Sequence, residues 1–205
     1  MTNEKQVDSS RRGLLVATCA AGGVAGLAAA GALVSTFAPS ERAKAAGAPV
    51  EVDIGGLAPG EMKTVEWRGK PVWILKRTPA MIAELKSKKV DGELADPESS
   101  RKPDELTPPY ARNELRSIKD DILVAVGICS HLGCSPGKKF EPGAQPSLPD
   151  DWPGGFLCPC HGSTFDLAGR VFKNKPAPDN LQIPRHMFVA GTSKLVIGKD
   201  EKGEA

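Results

Sequence analysis

The sequence predicts an all-β, antiparallel domain preceded by one N-terminal transmembrane helix, and three observations support this fold class. Glycine and proline, 22 and 18 of the 205 residues, make up nearly a fifth of the chain, a composition that suits short strands joined by many turns. Short apolar stretches with strand patterning recur between these turns. A single uncharged run, residues 13–40, is long enough to cross a bilayer.

The uncharged run has two interpretations, an uncleaved anchor or a cleaved export signal. Its 28 residues exceed both the ~20 residues that a spanning helix needs and the ~7–15 residues of a secretory-signal core. We therefore predict an anchor over residues 13–38. Small residues at 43–48 also match cleavage sites, which keeps the alternative open.

Arg11 and Arg12 precede the uncharged run. They resemble a twin-arginine export motif, and they also suit the positive flank that stays on the cytoplasmic side of a membrane. Both interpretations place residues 1–12 in the cytoplasm and the bulk of the chain outside it.

After the anchor, small and polar residues at 39–49 predict a flexible hinge, and a domain over 50–198 follows. One short helix is predicted to begin at Thr78-Pro79 and to end near residue 88, with Thr78 as its N-cap. The strands predicted from alternation or from apolar runs are 50–54, 62–67, 72–76, 122–128, 155–157, 164–167, 170–173, 187–190 and 194–197.

The charge pattern argues against a nucleic-acid-binding protein, because 27 basic and 25 acidic residues leave a formal net charge of only +2. Residues 89–119 are charged and rich in proline and predict a solvated surface insertion, while residues 199–205 predict a frayed tail. His186 has no ligand pattern around it, so we predict a structural role for its side chain. The three tryptophans are predicted to pack in the core.

Four of the five cysteines and two of the three histidines lie within 33 residues, in two groups that read Cys129-Ser-His131-Leu-Gly-Cys134 and Cys158-Pro-Cys160-His161-Gly-Ser163. A structural zinc ion would use only four of the six donors, and two disulfides would leave both histidines unexplained. A [2Fe–2S] cluster that takes one cysteine and one histidine from each group, together with one disulfide, uses all six.

The paired pattern C-x-H-x-G-C and C-P-C-H-G-S resembles the signature of the Rieske iron–sulfur proteins, and both halves match completely. The resemblance runs from the anchor to about residue 198 and is greatest to the Rieske subunits of cytochrome bc (quinol–cytochrome c reductase) complexes. It implies a Rieske-type β-sandwich with a small cluster-binding subdomain over about 127–180. It also implies one [2Fe–2S] cluster as the cofactor.

This resemblance implies a set of ligands. Cys129 and Cys158 would bind one iron of the cluster, and His131 and His161 would bind the other. His161 would also be the residue that contacts the quinol.

The resemblance further implies a disulfide between Cys134 and Cys160, which suits an oxidising compartment outside the cytoplasm. Leu132 matches the family's apolar shield, and Ser163 matches its hydroxyl donor. Gly133 and Gly162 are the glycines of the two motifs, and Pro176 and Pro178 belong to a segment that resembles the family's proline loop. Two positions depart from the family pattern: Phe165 replaces a frequent tyrosine, and Lys175 replaces the usual first glycine of the proline loop. Since the tyrosine donates a hydrogen bond to a ligating sulfur, we predict a lower reduction potential than in relatives that have it.

In function, the resemblance implies one subunit of a quinol–cytochrome c reductase enzyme, a respiratory translocase. The cluster would take one electron from ubiquinol, with a proton passing to a ligand histidine, and would pass the electron to a c-type cytochrome. Cytochrome b would be the other partner, in a dimeric complex. The implied location is the bacterial cytoplasmic (inner) membrane, with one span and the cluster domain on the periplasmic side.

Two alternatives stay open. The first is the Rieske subunit of a periplasmic oxidase such as arsenite oxidase, which can also follow a twin-arginine signal. The second belongs to another class, an exported structural zinc-binding module without redox activity.

Overall fold

The structure is a computed structural model that describes residues 9–203. Residues 1–8 of the predicted cytoplasmic segment and residues 204–205 of the predicted tail lie outside the described residues. The chain divides into two compact units, one ending at Ala45 and the other beginning at Ala46. The predicted fold class is confirmed, since antiparallel sheets build the second unit and one long apolar helix lies in the first.

Helix α1, Ser9–Ser35, has 27 residues and a mean hydropathy of 1.8 over its most apolar window. At ~1.5 Å per residue it is about 40 Å long, more than the ~30 Å of a bilayer core. Its length and composition allow it to cross a membrane, a property that signal sequences near an N-terminus share. The helix ends before residue 38, the predicted end of the anchor. The chain turns after Ser35, and Phe37 N–H donates to Val34 O at 3.1 Å.

Part of the predicted hinge is helical, since helix α2 spans Glu41–Gly47. The Ser40 hydroxyl accepts a hydrogen bond from Ala43 N–H at 3.2 Å, and Lys44 pairs with Glu41 at 2.8 Å. Alanine, lysine and glutamate are strong helix formers, and serine is a favoured N-cap. These local preferences form a short helix within the segment predicted to be a flexible hinge.

As far as residue 203, the second unit contains one further α-helix, α3, Pro79–Lys86, two 3-10 turns, Asp91–Glu93 and Pro109–Ala111, and nine strands. The strands form three antiparallel sheets of three strands each, ordered β1-β9-β8, β2-β3-β4 and β5-β6-β7. Their bounds are β1 Val50–Asp53, β2 Met62–Trp67, β3 Lys70–Lys76, β4 Ile122–Val126, β5 Gly137–Lys139, β6 Gly155–Leu157, β7 Thr164–Asp166, β8 His186–Phe188 and β9 Lys194–Ile197.

The central strands β3 and β4 are buried on both faces, which explains their continuous apolar sequences. One face, with Val72 and Ile74, packs against the β1-β9 layer. The other face, with Trp73 and Leu75, packs in a second core that also contains both cysteines predicted as iron ligands. The β2-β3-β4 sheet therefore supports the candidate site directly.

Most predicted elements are present, with three differences. Thr78 caps α3 as predicted, since its hydroxyl accepts from Met81 N–H at 3.2 Å. Residues 170–173 make only isolated bridges, through Val171 and Phe172, instead of a strand. Strand β5 was not predicted because its three residues are polar and largely exposed. The tail is packed rather than frayed as far as Asp200, which is buried and pairs with Arg185 at 2.7 Å.

Most charged residues of the segment 89–119 are exposed, as predicted, but Arg116 is an exception. Arg116 is completely buried, and its guanidinium donates to the carbonyl oxygens of Ala168, Gly169 and Leu181 at 2.8–3.2 Å. Arg77, from the end of β3, is also buried and donates to Leu167 O at 3.2 Å. These two arginines satisfy the carbonyls of the turn after β7 and so contribute to the interior.

His186 is buried, as expected of a structural residue, with its Nδ1 atom 2.8 Å from Pro184 O and its Nε2 atom without a partner among the described residues. Burial lowers the His186 pKa from 6.5 to about 4, and the Pro184 contact opposes this only in part. A histidine with a lowered folded-state pKa stabilises the fold fully above the unfolded pKa of 6.5. That contribution is lost as the pH falls from 6.5 towards 4.

We expect this single residue to cost about 3 kcal/mol of unfolding free energy between pH 7 and pH 4. Urea titrations of the wild type and of His186→Phe across this range measure it. The wild type is more stable at pH 7, and its advantage shrinks by about that amount at pH 4. Parallel pH profiles for the two proteins would contradict the prediction.

Candidate metal centre

The two cysteine–histidine groups form loops with the same backbone hydrogen bonds. In the first loop, after β4, Cys129 N–H donates to Cys134 O at 2.8 Å and Gly133 N–H to Cys129 O at 3.1 Å. In the second loop, between β6 and β7, Cys158 N–H donates to Ser163 O at 2.8 Å and Gly162 N–H to Cys158 O at 3.0 Å. Two matched loops therefore present their side chains to one place.

Both turns require glycine. Gly133 and Gly162 have φ values of +82° and +73°, in the left-handed region where a side chain is unfavourable. Each glycine completes the turn that begins at the first cysteine of its loop and leads the chain to the next strand.

The six predicted donors come together in two layers. Cys129 and Cys158 carry free thiols and are each 2% exposed. His131 is half-buried and His161 exposed, and their ring centroids lie 4.8 Å apart at 83°. The site thus has a sulfur layer inside the protein and an imidazole layer at its surface.

Cys134 and Cys160 form a disulfide that joins the two loops. Their sulfur atoms and that of Cys158 lie within 4.8 Å of one another. Because the disulfide removes two cysteines from the donor set, two thiols and two imidazoles remain to bind metal.

These four donors fit a cluster that takes two cysteines on one iron and two histidines on the other. Burial raises the pKa of the Cys129 thiol, an effect that hydrogen bonds from the His131 backbone N–H and from the Ser163 hydroxyl oppose. A metal cation in this pocket would compensate for the cost of burying thiolates. The donor set alone would also suit one tetrahedral zinc ion.

The proline loop lies against both loops. Ser163 is buried, and its hydroxyl accepts a hydrogen bond from Ala177 N–H at 3.0 Å. Ala177, between the exposed Pro176 and Pro178, packs in the core that contains Cys129 and Cys158. The loop is therefore a third side of the site.

The remaining predicted site residues occupy opposite ends of the site. Leu132 is 70% exposed next to the histidines and gives the tip an apolar surface. Phe165 is completely buried in the core beneath the cysteines, paired with Phe156 across the strands. The ring of Phe165 offers no hydrogen-bond donor to the sulfur layer.

Sequence reasoning missed the polar contacts that hold the proline loop. Ser130 Oγ donates to Asp179 O at 2.8 Å and accepts from Asp179 N–H at 3.2 Å. Ser130 lies between the predicted ligands Cys129 and His131, and this position was the only local indication that its side chain has a role at the site. Its partner lies 49 residues away, and no pattern in the sequence identifies that distance.

Comparison with known proteins gives the following relationships. The family description of the Rieske [2Fe-2S] domain matches residues 109–185. The chain is similar to the ubiquinol-cytochrome c reductase iron-sulfur subunit of Allochromatium vinosum, with 52% identity over 190 residues that cover 93% of this chain and 88% of that one. The subunit of the same name from Bradyrhizobium diazoefficiens is 40% identical over 97% of this chain and all of its own length.

Among solved structures, one similar chain comes from a structure entitled "Hyperthermophilic respiratory Complex III". The two chains are 26% identical, and their alignment covers 88% of this chain and 97% of that one with a TM-score of 0.44. The sequence relatives, in contrast, align over nearly the whole chain.

Proposed function

Because this chain belongs to the family of ubiquinol-cytochrome c reductase iron-sulfur subunits, we propose that it is the electron-transfer subunit of such a complex. Its cofactor is a Rieske-type [2Fe–2S] cluster. The observation that carries the proposal is the pairing of two buried thiols with two surface imidazoles on matched loops. As one subunit, the chain contributes a redox centre to the oxidoreductase rather than completing the reaction alone.

Cys129 and Cys158 bind one iron, and His131 and His161 bind the other. The depth of the thiols supports this assignment, because buried thiolates need a cation beside them. The exposure of the imidazoles supports it from the other side, since the redox partners approach from solvent.

When bound, the cluster supplies one-electron oxidation–reduction chemistry. His161 is exposed, so that an imidazole nitrogen not used for iron can accept a proton from a ubiquinol hydroxyl. Leu132, which follows His131 in the sequence, is exposed and excludes water from the contact. His131 is less exposed and serves as a ligand without touching the quinol.

Helix α1 anchors the chain in the bacterial inner membrane with the Arg11-Arg12 end in the cytoplasm and the cluster domain in the periplasm. The disulfide supports this orientation, because such bonds persist in oxidising compartments. Residues 39–49 act as the hinge that lets the domain reach cytochrome b, where ubiquinol is oxidised, and a c-type cytochrome in turn. The complex is a dimer.

The full-length chain, purified from membranes in detergent, tests the proposal. We expect equal amounts of iron and acid-labile sulfide, and a rhombic EPR signal after reduction with ascorbate, with an average g below the free-electron value. His161→Gln should abolish that signal, whereas His186→Gln should keep it, because His186 is buried elsewhere in the domain. A signal that needs dithionite would contradict the quinol assignment, and a chain containing only zinc would establish the structural alternative.

The buried Phe165 gives a prediction about the reduction potential. A tyrosine at this position adds a donor towards a ligating sulfur, worth ~1.5–3 kcal/mol for a charged acceptor. This corresponds to a rise of at most about 60–130 mV for one electron. Redox titration of Phe165→Tyr, monitored by EPR, measures the rise.

The matched control is Phe156→Tyr, which adds the same hydroxyl to the neighbouring buried ring. It should leave the midpoint potential within about 20 mV of the wild type, since no new bond to the cluster forms. An unchanged potential in Phe165→Tyr, or equal rises in both variants, would show that the donor is not responsible.

A further inference from the structure

The proline loop is held from outside by a segment 77 residues upstream. We call residues 175–179 the wall loop and residues 95–102 the strap. Arg101 Nη1 donates to Pro178 O at 2.7 Å, while its Nη2 donates to Ala95 O at 2.9 Å within the strap. Lys102 Nζ pairs with Asp179 Oδ2 at 2.6 Å. Two consecutive cations of the strap therefore bind consecutive residues of the wall loop.

The Asp179 carboxylate needs this partner. Its side chain is only 10% exposed, whereas that of Lys102 is 52% exposed. A carboxylate this buried is costly without a cation or several donors. Lys102 therefore fixes Asp179 in place, although the lysine itself lies at the surface.

The wall loop passes this restraint to both ligand loops. The Asp179 backbone accepts a hydrogen bond from the Ser130 hydroxyl and donates one to it, and Ser130 lies between Cys129 and His131. Ala177 N–H donates to Ser163, which follows His161 and Gly162 in the second loop. A shift of the wall loop would break contacts to both ligand loops at once.

The strap is itself held in one conformation. The Asp96 carboxylate accepts hydrogen bonds from the backbone N–H groups of Ser100 and Arg101 at 2.9 and 3.0 Å. Ser99 and Lys102 have φ values of +52° and +45°, which residues with side chains adopt only where their surroundings impose it. Asn180 Nδ2 donates to Asp96 O at 2.9 Å and joins the strap to the end of the wall loop.

We propose that Arg101 and Lys102 are positioning residues for the redox site: they hold the wall loop closed over the cluster and so limit the access of water and chelators to it. The proposal rests on the ligand set of the proposed function. Neither residue touches the cluster; both act through Pro178 and Asp179.

The test compares full-length wild type, Arg101→Ala and Lys102→Ala in detergent. The first measurement is the rate at which iron passes to a bathophenanthroline chelator. We expect release to become about five- to tenfold faster in each variant, as follows from losing a charge-assisted hydrogen bond at a partly exposed site. The second measurement is the EPR signal of the reduced cluster, whose lines should broaden as the surroundings of the cluster become less uniform. Lys102→Arg keeps the ion pair and should restore both properties.

Two controls separate positioning from general destabilisation. Arg112→Ala removes a surface ion pair, to Asp104, that lies outside the strap and does not contact the wall loop. Thr78→Ala removes the N-cap of α3 and should destabilise the fold about as much as Arg101→Ala or Lys102→Ala does. Both should release iron at the wild-type rate with unbroadened EPR lines. The proposal would be overturned if Arg101→Ala and Lys102→Ala released iron as slowly as the wild type. It would also be overturned if Thr78→Ala released iron as fast as those two variants. A wild type without a cluster would instead refute the proposed function.

Discussion

Replacing Cys158 by serine is expected to abolish cluster binding, with iron falling from about two atoms per chain to background. Serine keeps the size of the side chain, but its hydroxyl does not ionise near neutral pH and cannot replace a thiolate ligand. Cys158 is 2% exposed in the core beneath the site, so no other thiol can take its place without moving the loop. Iron analysis and EPR of the purified full-length chain measure the loss.

The chain provides a matched control in Cys19. This cysteine also carries a free thiol, but it lies exposed on α1, in the other compact unit. Cys19→Ser should retain full iron content and an unchanged EPR signal. If Cys158→Ser kept its iron, or if both variants lost it, the assignment of Cys158 as a ligand would fail.

Removing the disulfide is expected to have the largest effect on stability. Cys134 and Cys160 are separated by 26 residues, and closing a loop of that length lowers the entropy of the unfolded chain enough to stabilise the fold by about 3.5 kcal/mol. The double variant Cys134→Ser/Cys160→Ser should therefore unfold at a lower urea concentration with about that difference in free energy. The two ligand loops would also lose their only disulfide cross-link among the described residues.

Chemical reduction provides an independent measurement of the same contribution. Wild type treated with a phosphine reductant should approach the stability of the double variant, while the double variant should not respond to the reductant. A loss of less than about 1 kcal/mol, well below the range usual for native disulfides of small domains, would mean that noncovalent contacts alone hold the loops together.

The order of the elements could be predicted because local patterns specify them. Alternation in β1 and β2, and the continuous apolar run in β4, follow from which faces are buried. The N-cap of α3 follows from Thr78 and the proline after it. The predicted ligands were also identifiable locally, since each loop brings its donors together within six residues of sequence.

Predictions failed where a polar side chain finds its partner far away in the chain. Arg116 was expected in solvent, yet it is buried because its carbonyl partners lie 52–65 residues further on. Asp200 was assigned to a frayed tail, yet Arg185 holds it against the domain. Composition shows that such residues are charged, but it does not show which backbone groups need their charge.

Local spacing in the sequence therefore predicts the long apolar N-terminal helix, most of the strands and the two cysteine–histidine loops, because each depends on a pattern within one turn, strand or helix. The folded chain alone reveals how the second core joins both ligand loops, how the strap holds the wall loop, and that three arginines, Arg77, Arg116 and Arg170, lie in the interior. Buried charges and carbonyls must be paired wherever the fold brings them, and those pairings join residues that are too far apart in sequence for a local pattern to identify.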